Sequence, residues 1–361
     1  MRAVGRWGRG VLILLALVLI IVSFLPAWQT DRWWVRQWDF PRLQVAALLV
    51  LAGIGLWFTR RSQWRWPLLG GVGVALIWQF THFLAYFPPY PKQVASSEHC
   101  PAGRQISLLN ANVLMTNRNF DRLLKLVRRN DPDVLLLLEP GLDWAKAVQP
   151  LRSRYPYVLS EPVPNTYGMI LMSRLPMSGT IRYLLQAGVP SAHVQVRLPG
   201  GQQVMLHALH PEPPLPFDDS GERDAELVTL GRSVRDEGRA AIVMGDLNDV
   251  AWSRTSRLFR EVAGMNDPRV GRGFYPTFNA NYPLLQWPLD HLFVSPHFEL
   301  VGIDRLPGIG SDHFPMMFRL CLKADASTRK VSASAPPDAE AEASEELGAG
   351  VAERREEQNG R

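Results

Sequence analysis

Acidic, amide and imidazole side chains stand at the ends of one apolar run after another in the 361-residue chain. In chain order they are Asn110, Asn112, Glu139, His210, Asp246, Asn248, Asp290-His291 and Asp312-His313. A strand that enters a core needs no carboxylate or imidazole at its mouth, and no serine, cysteine or lysine nucleophile signature stands beside the set. We therefore expect these side chains to form one site.

The chemistry that fits this set is the attack of water on a phosphate ester. Carboxylates are hard ligands, which suit Mg²⁺, Mn²⁺ or Ca²⁺ and do not suit a structural zinc. A bound cation would neutralise developing charge, a carboxylate would orient water, and histidine would stabilise or protonate the phosphate oxygens. Any one of these residues alone is typical of a turn, so the prediction depends on the whole set.

The elements that must position these residues are visible as apolar runs separated by turns and helical patterns. The runs predict strands over 106–113, 134–138, 169–172, 204–209, 240–244, 289–294 and 315–322. Apolar residues at helical spacing predict one helix between Asn119 and Asp131 and another over 227–234. Strands with interspersed helices predict layered sheets packed under helices.

Three almost uncharged stretches precede this region, namely Val11–Trp28, Arg42–Phe58 and Pro67–Phe87. Each is about long enough to cross a bilayer as a helix, and tryptophans gather at their ends. Arginines before the first stretch and between the second and third favour the cytoplasmic side for those segments. The sequence therefore predicts a three-span anchor over 1–87, with the rest of the chain outside the cytoplasm. A cleaved signal peptide is disfavoured because no small-x-small site follows the first stretch.

Composition divides the remainder of the chain into a linker, a domain and a tail. Three prolines predict an extended linker over 88–99, and the soluble domain is expected over 100–323. The tail, 324–361, has almost no large apolar residues to offset the entropy of ordering, which predicts disorder. The net charge of +5 includes the arginines that flank the apolar stretches, so it is weak evidence for a nucleic-acid partner.

The order and spacing of six short segments resemble the endonuclease/exonuclease/phosphatase superfamily. The segments are NANV (110–113), PDVLLLLE (132–139), ALH (208–210), GDLND (245–249), LDHLFVS (289–295) and SDHFP (311–315). With three preceding spans, the chain is most similar to the membrane-anchored, YafD-like bacterial branch. The resemblance implies a four-layered α/β sandwich, in which two packed mixed sheets are flanked by helices and the site lies at one end. It also implies a Mg²⁺- or Mn²⁺-dependent hydrolase of the phosphodiesterase/nuclease or phosphatase type.

The resemblance implies a role for each matching residue. By this resemblance Glu139 and Asp312 would bind the metal, and Asn112 would help to position metal and phosphate. The chain departs from the nuclease pattern at Pro140, which follows the metal-binding glutamate, and at His291, where the family often has tyrosine. These departures leave the substrate open.

The remaining matches concern water and phosphate. Asp246 would orient or activate water, and Asn248 and His210 would hold the phosphate. Asp290 would orient His313, the final histidine of the family pattern.

Three further residues receive weaker expectations. His291 is interpreted as structural, and Asn110, which shares strand parity with Asn112, is a possible additional member of the site. Arg223 opens the second helix of the domain, where a surface charge is favoured over a substrate contact.

The two cysteines, Cys100 and Cys321, bracket the domain. The resemblance implies antiparallel pairing of the first and last strands, which would bring the two residues near each other. We therefore predict a disulfide, which a non-cytoplasmic location would permit.

The substrate stays open between nucleic acid, a phospholipid or sphingolipid head group, and a soluble phosphoester. The uncharged segment 273–287, GFYPTFNANYPLLQW, suits either base stacking or lipid contact. An alternative function is a catalytically inactive, membrane-tethered binding module of the same fold, and a third is a transporter subunit. The expected location is the cell inner membrane, multi-pass, with the catalytic domain on the periplasmic side; besides substrate and bilayer, no protein partner is predicted.

Overall fold

The chain forms two compact units in the computed structural model, which describes residues 2–59, 63–186, 188–213, 219–326 and 334–359. The first unit comprises Met1–Phe87 with Pro214–Ser220, and the second comprises Pro88–Pro213 with Gly221–Arg361.

The first unit is helical. Its helices are α1 (Arg2–Phe24), α2 (Trp33–Arg36), α3 (Arg42–Trp57) and α4 (Arg65–Phe83). The three long helices pack through small and aliphatic residues such as Ala16, Leu49 and Ala75, which are fully buried. Many of their other apolar side chains point outward, among them Leu14 and Ile77 at 63% and 68% exposure. An apolar exterior of this kind is expected for helices that face lipid.

Two helical segments, Trp7–Ala27 and Arg65–Tyr86, are long and apolar enough to cross a membrane. The expected second span, Arg42–Phe58, forms α3 over Arg42–Trp57, and its 16 residues reach about 24 Å at 1.5 Å per residue, less than the roughly 30 Å of a bilayer core. It follows Trp33–Asp39 at a bend of 74°, and only if this bent pair counts as one span does the number rise to three.

A buried polar network joins the helices of the first unit. Arg36 and Arg42 each donate a hydrogen bond to the carboxylate of Asp39, at 3.1 and 2.8 Å. Arg42 also donates to Gln79 on α4, which in turn donates to Ser23 on α1, at 3.0 and 3.2 Å. Because the charge of each arginine meets the carboxylate of Asp39, the arginines are accommodated inside an otherwise apolar bundle.

The second unit alternates strands and helices. Its elements are β1 (Gln105–Asn112), α5 (Phe120–Asn130), β2 (Val134–Leu138), α6 (Leu142–Ala147), β3 (Tyr157–Glu161), β4 (Met169–Ser173), β5 (Met177–Arg182), β6 (Ser191–Arg197), β7 (Gln203–Leu209), α7 (Gly221–Glu237), β8 (Ala241–Asp246), α8 (Arg254–Ala263), β9 (Asp290–Val294), β10 (Phe298–Arg305), β11 (Met316–Leu322) and α9 (Pro337–Asn359). One sheet has the order β10-β11-β1-β2-β4-β3 and the other β5-β6-β7-β8-β9. Each sheet is mixed, since β1 and β2 run parallel, as do β7 and β8, while their outer neighbours are antiparallel.

Alternate residues of each strand face opposite layers, which separates three cores. The inter-sheet core contains Leu108 and Leu136 from one sheet and Leu206 and Ile242 from the other. A second core lies between the six-stranded sheet and α5 and α6, and a third between the five-stranded sheet and α7 and α8. The expected sandwich of two packed mixed sheets flanked by helices is therefore confirmed.

Two expectations about the start of the domain have different outcomes. Cys100 and Cys321 form the predicted disulfide, with their Cα atoms 5.7 Å apart, because β1 pairs antiparallel with β11. The preceding segment, 88–99, contains no helix, as its prolines require, but a turn at 88–89 and several bends interrupt the expected extended course, and it is not a free linker. Val94 is buried in the inter-sheet core, and Ala95 accepts a hydrogen bond of 2.8 Å from the backbone of Leu300.

The expectation that 324–361 is disordered is wrong for Pro337–Asn359, which forms α9. Ala339 and Ala343 of this helix pack against Val228 of α7 and Leu258 of α8. Its glutamates pair with arginines of the same two helices, as Glu340 does with Arg232 at 2.6 Å. Partners more than eighty residues away supply the stabilisation that composition alone does not reveal. Residues 327–333, 360 and 361 lie outside the described residues.

Candidate active site

The strand directions bring the predicted residues to one end of the sandwich. Asn112 ends β1 and Glu139 follows its parallel neighbour β2, while His210 and Asp246 stand at the carboxyl ends of the parallel pair β7 and β8. Two further residues arrive from antiparallel strands, so they precede rather than follow them: Asp290 begins β9, and His313 lies ahead of β11. All six side chains therefore reach the same pole.

Asn112 connects the two sheets at the centre of this pole. Its amide Nδ2 donates to Glu139 Oε1 at 2.8 Å and to Asp246 Oδ2 at 3.2 Å. Its carbonyl oxygen accepts from the backbone N–H of Leu114 at 3.1 Å, which fixes the orientation of the amide. The amide therefore holds two carboxylates from different sheets next to each other.

His313 lies between two carboxylates. Its Nδ1 is 2.8 Å from Asp290 Oδ2, and its Nε2 is 3.4 Å from Asp246 Oδ2. The other oxygen of Asp290 accepts from Asn110 Nδ2 at 3.0 Å, so Asn110 belongs to the site as strand parity suggested. Burial by itself lowers the pKa of His313, but Asp246, Asp290 and Asp312 outweigh it and raise that pKa to about 10. The imidazole is therefore a cation at neutral pH.

His210 is close to the centre, where it makes no hydrogen bond with any residue that the structure describes. Its Nε2 lies 3.9 Å from Glu139 Oε1 and 4.0 Å from Asp246 Oδ2. Burial lowers the pKa of His210 to about 4, with the charge of Asp246 opposing, so the ring is neutral. The ring of Tyr167, which the sequence did not single out, packs against it at 5.8 Å.

Asn248 and Glu139 have left-handed backbone conformations, with φ of 50° and 57°. The backbone N–H of Asn248 donates to Asp246 Oδ1 at 3.0 Å, and its side-chain Nδ2 donates to the carbonyl of Pro211 at 2.9 Å. Gly245, which directly precedes Asp246, has φ of 151°, and a Cβ there would lie 1.9 Å from the carbonyl oxygen of Leu209. Such strained residues persist only where their surroundings hold them, and they concentrate at functional sites.

Asp312 lies at the edge of this arrangement. It is partly buried and receives a hydrogen bond from Ser311 Oγ at 3.3 Å. Its charge contributes to the raised pKa of Glu139. Within the described residues, however, the group that could enclose an ion most closely consists of Asp246, Asp290 and His313. The metal-binding role expected for Asp312 stays a prediction.

Comparison with known proteins decides the family. The model of the endonuclease/exonuclease/phosphatase family matches residues 109–313, more than half of the chain. The chain belongs to this family. A comparison with curated protein sequences gave no significant match.

Three solved structures illustrate the fold of this family. An endonuclease/exonuclease/phosphatase from Beutenbergia cavernae is 19% identical, with a TM-score of 0.50, 61% of this chain and 72% of that chain being covered. A functionally unknown conserved protein from Enterococcus faecalis is 12% identical over 60% of this chain and 100% of its own, with a TM-score of 0.50. A humanized D. rerio TDP2 is 18% identical over 60% and 98%, also with a TM-score of 0.50. At these identities the likeness concerns the fold alone.

The site has the charge that a divalent cation of this family requires. Burial raises the pKa of Glu139 to about 7, and Asp246 and Asp312 add to the rise, while Asn112 and His313 oppose it. A buried carboxylate whose pKa is raised in this way has too little positive charge nearby to stabilise its ionised form. A bound cation would supply that charge, so the residues present fit the divalent-metal dependence of the family.

The enclosed group of Asp246, Asp290 and His313 is a poorer place for the ion. Both ring nitrogens of His313 already face a carboxylate, Nδ1 that of Asp290 and Nε2 that of Asp246, so neither nitrogen is directed at an ion. Glu139 is more accessible, with 15% of its side chain exposed, and no described residue donates a hydrogen bond to its second oxygen.

Two buried arginines support the segment that follows β8, Arg223 directly and Arg269 through His291. Arg223 donates from Nη1 to the carbonyl of Asn248 at 3.1 Å and pairs with Asp224 at 2.7 Å. Arg269 pairs with Asp267 at 2.8 Å and lies 2.7 Å from His291 Nδ1.

His291 completes the second contact, since its Nε2 lies 2.8 Å from the carbonyl oxygen of Asp249. The structural role expected for His291 is consistent with this position. Arg223 is 3% exposed, so the expectation of a surface charge is wrong. The sequence signals these two ion pairs only by the acidic residue that stands close to each arginine, Asp224 beside Arg223 and Asp267 near Arg269.

Proposed function

We propose that this chain is a membrane-anchored, divalent-metal-dependent phosphohydrolase of the phosphodiesterase/nuclease or phosphatase type. Proteins of its family are hydrolases that act on phosphoester bonds. The observation that carries the proposal is the single buried cluster in which Asn112 joins Glu139 to Asp246 while His313 lies between Asp246 and Asp290.

The residues of the cluster divide the chemical work. Asp246 is the carboxylate that accepts a hydrogen bond from the attacking water and orients it. His313, held as a cation by Asp290, donates a hydrogen bond from Nε2 to a phosphate oxygen, where negative charge grows in the transition state. Asn248 has one N–H of its amide engaged with Pro211, which leaves the second to hold the phosphate. His210 is neutral and can donate from one ring nitrogen without adding charge.

Mg²⁺ or Mn²⁺ would be held by Glu139, with Asn112 fixing that carboxylate and Asp312 completing the site from its edge. Such an ion, when bound, acts as a Lewis acid that neutralises charge on the phosphate. Glu139, Asp246 and Asp290 together carry more negative charge than His313 balances, which is why the protein's own residues are insufficient without it.

The membrane part of the proposal is supported by the apolar helices of the first unit. Two of them are long enough to span a bilayer, and a third would do so if the bent pair is one span. We propose the inner-membrane, multi-pass location and the YafD-like branch on this basis. The Cys100–Cys321 disulfide supports a periplasmic position for the catalytic unit, because structural disulfides persist in oxidising compartments.

Hydrolysis of bis(p-nitrophenyl) phosphate by the full-length protein in detergent tests the activity. We expect turnover that needs Mg²⁺ or Mn²⁺ and that falls by about 10²-fold or more in Asp246→Asn and His313→Gln. Matched controls are Asp236→Asn, whose side chain is 71% exposed, and His99→Gln, also exposed. Metal-dependent turnover of no phosphoester would leave the inactive binding module. A panel of plasmid DNA, RNA, sphingomyelin and phosphoinositides then identifies the substrate.

A further inference from the structure

A cavity lies at the pole of the sandwich opposite the candidate active site. The strands that carry Asn112, His210 and Asp246 at their carboxyl ends begin at this pole, and β11 ends there. Strands of this length, at about 3.3 Å per residue, separate the two poles by roughly 20 Å. The cavity has a volume of about 720 Å³, which is in the range of sites for small molecules.

The cavity is lined by cationic and amide side chains, together with apolar residues such as Leu322. Its lining includes Arg104, Arg239, Lys323, Gln202, Gln203 and Leu322. Among the residues that the structure describes, no carboxylate lines it. Counter-charges lie nearby, since the charge of Glu237 interacts with Arg239, and Glu299 and Asp325 line an adjoining cavity of about 280 Å³ that shares Arg104 and Lys323 with the first.

The cationic groups keep most of their donors available. Lys323 Nζ donates to the carbonyl of Pro296 at 2.7 Å, which fixes the ammonium but leaves two of its three N–H groups. Arg239 uses Nη2 to reach Gln195 Oε1 at 3.0 Å. The guanidinium of Arg104 makes no hydrogen bond or ion pair with any described residue. Three cations around one space repel each other unless an anion lies between them.

The wall that carries Arg104 is rigid. A single turn of helix, Ala102–Arg104, leads into β1, and the disulfide of Cys100 with Cys321 ties its start to the end of β11. The backbone N–H of Gly200 donates to the carbonyl of Gly103 at 2.8 Å, and a Cβ on Gly200 would lie 2.7 Å from that oxygen. Glycine at 200 is therefore needed for this close approach, which fixes the backbone that carries Arg104.

We infer that this cavity binds an anion that carries phosphate groups and is about the size of a nucleotide. Arginine and lysine side chains suit phosphate oxygens, the two glutamine amides suit a neighbouring polar group, and Leu322 suits a less polar part of the ligand. The same chemistry describes a free nucleotide and the head group of an acidic lipid. The site is separate from the candidate active site and does not depend on the proposed activity.

Binding of inorganic pyrophosphate to the full-length protein in phosphatidylcholine nanodiscs, without metal, tests the inference by calorimetry. We expect saturable binding that weakens about tenfold or more in Arg104→Gln/Arg239→Gln/Lys323→Gln. The control Lys125→Gln/Arg128→Gln/Arg129→Gln removes the same charge from exposed positions of α5 and is expected to leave the affinity within about twofold. Hydrolysis of bis(p-nitrophenyl) phosphate should stay unchanged in both variants.

Two further titrations distinguish the sources of the phosphate. Tighter binding of ADP than of glycerol 3-phosphate supports a free nucleotide, and the reverse preference supports a lipid head group. Equal affinity for pyrophosphate in the cavity variant, the control variant and the wild type would overturn the inference, as would binding that does not saturate. If the triple variant is unstable, the single variants Arg104→Gln and Lys323→Gln decide, each with an expected loss of about threefold.

Discussion

Arg223 offers the sharpest test of how the site is held in place, because it contacts the segment after β8 without facing the site. Its guanidinium donates to the carbonyl of Asn248 at 3.1 Å and lies 2.7 Å from Asp224 and 3.6 Å from Asp249. The side chains of all three charged residues are 3% exposed or less. The change to examine is Arg223→Gln, which removes the charge and the fork of donors.

Two effects of this change can be estimated. Breaking a buried ion pair by removing one partner costs about 3–5 kcal/mol of unfolding free energy, since the remaining carboxylate is left without its cation. The left-handed backbone of Asn248 also loses the donor that holds its carbonyl. A shift of about 1 Å in a positioned group lowers the rate by about 10²-fold, so we expect kcat to fall by that factor with little change in KM.

The assay compares kcat, KM and Tm of Arg223→Gln, Arg223→Lys and Arg232→Gln, with bis(p-nitrophenyl) phosphate as substrate. Arg232 is the control, because it lies on the same helix, pairs with Glu340 at 2.6 Å and is 27% exposed. Lysine at 223 keeps the charge but not the planar fork, and we expect an intermediate kcat. If Arg223→Gln folds and keeps kcat within about threefold of wild type, Arg223 does not position Asn248 and the reasoning fails.

Three further predictions concern stability. The disulfide closes a loop of 221 residues, so Cys100→Ser is expected to lower the unfolding free energy by up to about 5 kcal/mol in the chain-entropy estimate, and a loss below about 1 kcal/mol in chemical denaturation would contradict that. His193 and His207 contact each other through Nδ1 atoms 2.9 Å apart, and burial lowers their pKa values to about 4 and about 3. The unfolded imidazoles titrate near 6.5, so the contribution of these neutral rings to the unfolding free energy is full above that pH and is lost as pH drops towards 4. At about pH 5 the loss is about 2 kcal/mol for each ring. If His193→Asn leaves the slope of unfolding free energy against pH unchanged, this assignment is wrong. Glu342 pairs with Arg257 at 3.0 Å and also with Arg254, so Glu342→Gln should lower Tm by an amount worth about 1 kcal/mol, an effect that salt near 1 M should reduce; equal effects at low and high salt would show that the pairs are not the cause.

The strands that the sequence predicted are those that the core buries on both faces. Val134–Leu138 has the predicted bounds, and Gln203–Leu209 differs by one residue, because continuous apolar runs are typical of central strands. The strands without a prediction, β3, β5, β6 and β10, lie at or next to the sheet edges. β5 is mostly exposed, so its residues Met177–Arg182 show no apolar pattern.

The parts of the site that could not be predicted depend on partners distant in sequence. Arg223 and Arg269 look like surface charges in the sequence. Only the folded chain shows that Arg223 is buried against Asp224 and the carbonyl of Asn248, and Arg269 against Asp267 and the carbonyl of Asp290. Helix α9 is a similar case, since its glutamates find arginines on α7 and α8. Charged residues carry no periodic signal for burial, because pairing and not hydrophobicity decides where they lie.

Four strands, β1, β7, β8 and β9, share one pattern, in which the inter-sheet face is apolar up to the catalytic pole and becomes polar there. Glu139 does not follow this parity, since it comes directly after Leu138 of β2 and has a left-handed backbone. The inter-sheet core takes Ile106 and Leu108 from β1, Val204, Leu206 and Ala208 from β7, Ile242 and Met244 from β8, and Leu292 and Val294 from β9. Continuing by steps of two, the same faces carry Asn110 and Asn112, His210, Asp246, and Asp290. The site is thus the polar end of the inter-sheet core.

The same parity explains which polar residues do not join the site. His207 and His291 are offset by an odd number of positions from His210 and Asp290, so each points to the opposite face of its sheet, towards α7 and α8. Both are buried, and both are neutral because burial lowers their pKa values to about 3. A histidine beside a motif in the sequence can therefore lie on the far side of the sheet from the chemistry. A shift of one residue in any of these strands would exchange the two faces and remove a carboxylate or imidazole from the cluster.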